Sequence, residues 1–114
     1  MGLDVSGEDY VDVNDALKRI GGNEGLYKRL LKRFVDGTEM ESLENALNSG
    51  DMEEAARFAH TIKGVSANLS LTKISIISTQ LEQDIKNGSD YEAGFSELRQ
   101  AYGVTIDVIN EYVA

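Results

Sequence analysis

No cysteine, proline or tryptophan occurs in the 114-residue chain, and histidine occurs once. Without cysteine there is no disulfide framework, thiolate zinc site, iron–sulfur cluster or cysteine nucleophile. A single histidine also excludes sites such as HExxH, where two imidazoles face one ion. Imidazole chemistry therefore falls to His60 or to nothing. Positive charge is scarce as well, with 11 lysines and arginines against 20 acidic residues and a formal charge of −9. That balance argues against nucleic acid and anionic membrane surfaces, because phosphate backbones are held by cation clusters that release counterions.

Long apolar runs are missing too. The longest charge-free stretch is the nine residues Gly64 to Thr72, about half of a membrane span. Residues Met1 to Tyr10 lack the basic start and apolar run of a signal peptide. Met1-Gly2-Leu3-Asp4-Val5-Ser6 satisfies the loose M-G-x-x-x-[ST] lipidation pattern, but so few constraints are often met by chance. With 41% hydrophobic and 27% charged residues the composition is globular. We expect one domain over residues 1–114, residues 1–10 flexible, in the cytoplasm.

Helical periodicity is what the chain does have. Glycines at Gly21-Gly22, Gly50 and Gly88 each follow an apolar-periodic stretch, where a left-handed residue ends a helix. They divide the chain into a short helix, Val13 to Ile20, and four longer ones. Leu26, Tyr27, Leu30, Leu31, Phe34, Val35, Met40, Leu43 and Leu47 predict one helix over Asn23 to about Ser49, bent at Asp36-Gly37-Thr38, where Thr38 and Glu41 have capping-box spacing. Met52, Ala55, Ala59, Ile62, Ser66 and Leu69 predict the next, from Asp51 to about Asn68. Ile74, Ile77, Leu81 and Ile85 mark a helix over Leu71 to Asn87. The last opens with Ser89 and Glu92 in capping-box spacing and runs through Phe95, Leu98, Tyr102, Ile106, Ile109 and Val113. No useful length of strand alternation occurs, so the expected fold is all-α: an antiparallel up-down four-helix bundle with a short additional N-terminal helix against one end.

At about 100° per residue, His60 points roughly 140° away from the apolar stripe of its helix and so faces solvent. Three and four positions from it stand Ala56, Arg57, Lys63 and Gly64, with Ala67 a turn beyond and no carboxylate among them. The ring is thus expected to be uncrowded and electropositive in an otherwise acidic protein. An internal helical glycine costs about 1 kcal/mol relative to alanine. Room for a bulky group on His60 is one return on that cost; close helix packing is the ordinary one. Lys63 would bring an ammonium to the group's negative oxygens. A phosphoryl group fits both features, needing space and carrying close to two negative charges.

At these residues the chain resembles a known family. His60-Thr61-Ile62-Lys63-Gly64-Val65-Ser66-Ala67-Asn68-Leu69 is similar to the H-x-x-K-G-x-x-x-N-L signature of histidine-containing phosphotransfer (HPt) domains of bacterial phosphorelays. Ala16 to Asn23 with Leu26-Tyr27, Leu30-Leu31 and Phe34 also looks like that family's first helices, so the resemblance covers about residues 10 to 88. It implies that His60 takes a phosphoryl group from a receiver-domain phosphoaspartate and passes it to another receiver. Lys63 would offset charge, Gly64 would leave room, and Asn68 with Leu69 would stabilise the turn into the next helix. Ser70 departs from the pattern, since glycine commonly follows N-L in the family.

The expected molecule is a phosphoryl carrier and not an enzyme, because nothing resembles a P-loop or a kinase glycine-rich loop. It needs no cofactor or metal of its own; Mg²⁺ belongs to the receiver. The imidazole must be neutral at Nε2, which favours pH near or above its ordinary pKa of about 6.5. Expected partners are response-regulator receiver domains and a hybrid histidine kinase, with the chain a monomer. The docking surface should be Ala56, Arg57, Lys63, Gly64 and Ala67 around His60, plus Ile76, which points roughly 145° from its own helix's stripe. Two other readings stand beside this: the phosphoacceptor domain of a chemotaxis-type histidine kinase, and a helical interaction module without phosphotransfer.

Overall fold

The computed structural model describes residues 10–114. The flexibility expected of residues 1–10 and the Met1–Ser6 lipidation pattern thus fall outside the described residues, Tyr10 excepted. Within them lie six helices and no strand: α1 (Val13–Arg19), α2 (Glu24–Asp36), α3 (Glu39–Ser49), α4 (Met52–Asn68), α5 (Thr72–Asn87) and α6 (Glu92–Val113). Short polar side chains start three of them. Asp12, Asn23 and Asp51 accept from the N–H groups of Asp15, Leu26 and Glu54 at 3.1, 3.0 and 3.2 Å. Each such cap contributes about 1 kcal/mol. Gly50 and Gly88 end α3 and α5 at φ of +80° and +70°, as their positions after the apolar stripes predict.

The helix expected over Asn23–Ser49 is two helices, not one bent one. Gly37 is extended, at ψ 162°, and Thr38 caps α3 without a side-chain hydrogen bond, so the Thr38–Glu41 capping box is not formed. The cause is the phase of the apolar residues. On an unbroken helix the buried set Tyr27, Leu31 and Phe34 would face roughly 145° away from Leu43, Ala46 and Leu47. Both sets enter the core only if the chain breaks between them, and glycine is the residue that gives way. At α6 the Ser89–Glu92 capping box is likewise replaced: Asp90 accepts from the Glu92 N–H at 2.9 Å, with Tyr91 at the cap.

Helix α4 packs between α3 and α5, α6 lies against α5 and α2, and α1 rests on α2. Ala55 and Ala59, fully buried, let α4 approach its neighbours closely, and Leu31, Leu43, Ile74, Leu81, Leu98 and Ile109 fill the space between. The α4–α5 turn sets the register of those two helices. Ser70 sits there at φ +57°, the left-handed conformation that glycine takes without cost and other residues at about 1–2 kcal/mol. Its hydroxyl offsets that cost by donating to Asp15 at 2.6 Å, and its carbonyl accepts the Asp12 N–H at 3.0 Å. The Ser70 hydrogen bond, then that from Arg19, holds the Asp15 carboxyl below its ordinary pKa. Serine therefore keeps the glycine-like turn and ties α1 to it. Tyr27 of α2 adds a buried tie, donating to the Leu69 carbonyl at 2.7 Å.

Candidate functional site

The buried stripe of α4 is Ala55, Ala59, Ile62 and Ser66, which turns His60 outward as its place on the wheel predicts. The imidazole side chain is 65% exposed. Its surroundings are not what α4 alone implies. A carboxylate does reach the ring, from the neighbouring helix: Glu82 of α5 lies 3.1 Å from His60 Nδ1. This corrects the expectation of a ring without an acidic neighbour, since the wheel projects one helix only. The Glu82 side chain is 6% exposed and is shared by two ammonium groups, Lys63 at 3.0 Å on Oε1 and Lys86 at 2.9 Å on Oε2.

Electrostatics settle the state of that carboxyl. Burial pushes its pKa up, but the hydrogen bonds of Lys86 and Lys63 and the charges of Lys63 and His60 outweigh burial and hold it below its ordinary value. Glu82 is therefore a carboxylate, which only accepts hydrogen bonds. In the neutral ring Nδ1 therefore carries the proton, donating to Glu82, and the lone pair is at Nε2. A buried, twice-paired carboxylate behind an exposed ring is an arrangement that orients an imidazole and offsets positive charge arising on it.

Close packing does not account for Gly64. A Cβ built there meets nothing within 4 Å, so the glycine serves no close helix contact. We predict that Gly64→Ala raises stability by about 1 kcal/mol through helix propensity while slowing any chemistry that crowds His60. A thermal melt beside an initial-rate measurement checks both, and an unchanged rate would show that the glycine is not kept for space.

The structure gathers part of the expected docking surface. Ala56, Arg57 and His60 line an open groove of about 660 Å³ with Glu82, Ile85 and Lys86 of α5. Arg57 is exposed and spends its charge on Glu54, at 2.6 and 2.9 Å. Ala67 is half-buried and Ile76 is 63% exposed, but neither lines this groove. Sequence reading missed Glu82, Lys86 and Ile85. One signal was available: Glu82 sits inside the buried run Ser78, Leu81, Ile85, where a charge demands partners, and Lys86 stands four residues on. Among the described residues no group of three or more His, Cys, Asp or Glu is placed to hold a metal ion, and no helix is long and apolar enough to cross a membrane.

A family model described as Hpt domain matches residues 30–104, well over half of the chain. No match was found among curated proteins or among solved structures. The matched span runs from within α2 into α6 and takes in His60, Lys63, Gly64, Glu82 and Lys86. The helical architecture and this match together show that the chain belongs to the Hpt family, the histidine phosphotransfer domains of two-component signalling.

Proposed function

We propose that the protein accepts a phosphoryl group on His60 Nε2 from a receiver-domain phosphoaspartate and delivers it to the aspartate of another receiver. The observation that carries this reading is the Glu82 carboxylate 3.1 Å from Nδ1 of a ring whose side chain is 65% exposed. Nε2 attacks phosphorus, the N–P bond forms, the P–O bond to the aspartate breaks, and the carboxylate leaves with the electron pair. The Nδ1 proton stays in place, so the ring becomes cationic and Glu82 offsets that charge. Delivery is the reverse step on a second receiver.

The chain acts as a carrier without a kinase or ATP site, and Mg²⁺ is supplied on the receiver, where the acceptor carboxylate lies. We read the packing as an antiparallel up-down four-helix bundle in which α2 and α3 form one arm, working as a monomer in the cytoplasm. Ala56, Arg57, Ala67 and Ile76 complete the docking surface, and a hybrid histidine kinase feeds the relay. Incubation with a phosphorylated receiver and Mg²⁺ should leave acid-labile, base-stable phosphate on the chain. Absence of such label with every receiver of the source organism would sink the proposal.

Lys63, one turn from His60 and 33% exposed, is placed to offset the charge of phosphoryl oxygens on the ring. Its charge is partly spent on Glu82 in the resting protein. Lys63→Ala should therefore slow acceptance by about tenfold, or ~1.4 kcal/mol of transition-state stabilisation, and leave the fold intact. Single-turnover rates with circular dichroism check this; a wild-type rate would remove Lys63 from the mechanism.

A further inference from the structure

Positive charge is concentrated in one place. Six of the 11 lysines and arginines fall between Lys18 and Arg33, where Glu24 is the one acid, so that stretch opposes the −9 charge of the whole chain. Four of the six are on α2: Lys28, Arg29, Lys32 and Arg33. Among the described residues none of these four is in an ion pair, whereas Arg19, Arg57, Lys63, Lys86 and Arg99 each meet a carboxylate at 3.1 Å or less. Lys28 lies over the Tyr112 ring of α6. Arg29, Lys32 and Arg33 remain as an exposed ridge, ended by Asp36. Lys28 with Lys32 and Arg29 with Arg33 are like charges four residues apart, each pair costing a few tenths of a kcal/mol. Folding alone gives no reason to keep them.

The ridge reaches the C-terminal end of the helix that carries His60. Arg33 shares a groove with Leu30 and Phe34 of α2, Glu39 of α3, and Val65, Asn68 and Leu69 at the end of α4. Asn68 is two turns beyond His60, about 12 Å along the axis, with Gly64 between them. A standard interface covers about 800 Å² per partner, a patch about 30 Å across. A partner centred on His60 therefore reaches the Arg33 end of the ridge, from which Lys32 and Arg29 continue along α2.

We infer that Arg29, Lys32 and Arg33, with the groove joining α2 to α4, extend the docking surface around His60 and meet an acidic face of the receiver domain that exchanges phosphoryl groups with it. The inference rests on the function proposed above. A receiver that holds Mg²⁺ beside its acceptor aspartate needs further carboxylates around the ion, so the face it turns to this chain is acidic, and the net charge of this chain would repel such a partner. Screening within about 8 Å at physiological salt leaves the local field to govern the approach, and at the ridge that field is positive.

The test compares wild type with the triple variant R29Q/K32Q/R33Q, using the receiver domain that phosphorylates wild type fastest. At low salt the second-order transfer rate should fall about tenfold or more and lose most of its salt dependence. Chemical phosphorylation of His60 by phosphoramidate should not change. The reversal R29E/R33E should lower the rate further, and melting curves check that each variant folds. Equal rates and equal salt dependence in wild type and variant would overturn the docking role alone; no transfer to wild type from any receiver would overturn the proposed function with it. Binding of wild type but not variant to phosphatidylserine vesicles or duplex DNA, with transfer unchanged, would also overturn the assignment.

Discussion

Replacing His60 with glutamine should abolish phosphoryl acceptance while leaving the protein folded. His60 is the only imidazole in the chain and no cysteine exists to substitute for it. The glutamine amide can donate to Glu82 in place of Nδ1–H, but it offers no basic lone pair to attack phosphorus. Acid-labile label should fall below about one thousandth of wild type, a barrier increase of at least ~4 kcal/mol. Because the side chain is 65% exposed, the melting behaviour should hardly move, consistent with surface substitutions of about 0.5 kcal/mol or less. Retained label on His60→Gln would place the chemistry elsewhere.

The second large effect is at Glu82, a positioning residue that touches His60 and not the phosphoryl group. Glu82→Ala removes the acceptor behind Nδ1 and strands Lys63 and Lys86, which are 33% and 61% exposed and so regain water. Stability should drop by about 1–2 kcal/mol, below the 3–5 kcal/mol of a fully buried broken pair. Transfer should slow by about 10- to 100-fold, by analogy with partners that orient metal-bound histidines. Glu82→Gln keeps an acceptor without the charge, so it should restore the Nδ1–H tautomer, read by ¹⁵N chemical shifts, and part of the rate. A merely structural role would leave the tautomer unchanged in Glu82→Ala.

The same carboxyl makes a pH prediction. Its pKa in the folded protein is lowered, so the folded state binds the Glu82 proton less readily than the unfolded chain does. Its stabilising contribution is complete above the unfolded-chain value and disappears as the pH falls through the folded one. Acid unfolding curves of wild type and Glu82→Gln should converge at low pH and separate as pH rises, with wild type the more stable. Parallel curves would show that the carboxylate's charge contributes nothing.

Helix positions and the outward turn of His60 are legible in the chain because both are local. A period near 3.6 identifies which residues of one helix share a face, and glycines after an apolar stripe mark where it ends. The break at Gly37 was legible too, in the phase of Phe34 against Leu43, but spacing alone reads as continuous until the phase is summed across the glycine. The two capping boxes show the reverse case. Their spacing was present at Thr38–Glu41 and Ser89–Glu92, yet neighbouring backbone geometry decided which side chain reached which N–H.

From sequence alone came the helical class, the one available imidazole, its exposure and the lysine and glycine beside it. Only the tertiary structure decided that a carboxylate stands behind the ring, because Glu82 is 22 residues away on another helix. Their meeting depends on how α5 slides against α4, which the left-handed Ser70 turn and the packing around Ala55 and Ala59 determine together. Helical periodicity specifies a direction around one axis. The distance between two axes and their register follow from close packing, and that is where the tautomer of His60 is decided.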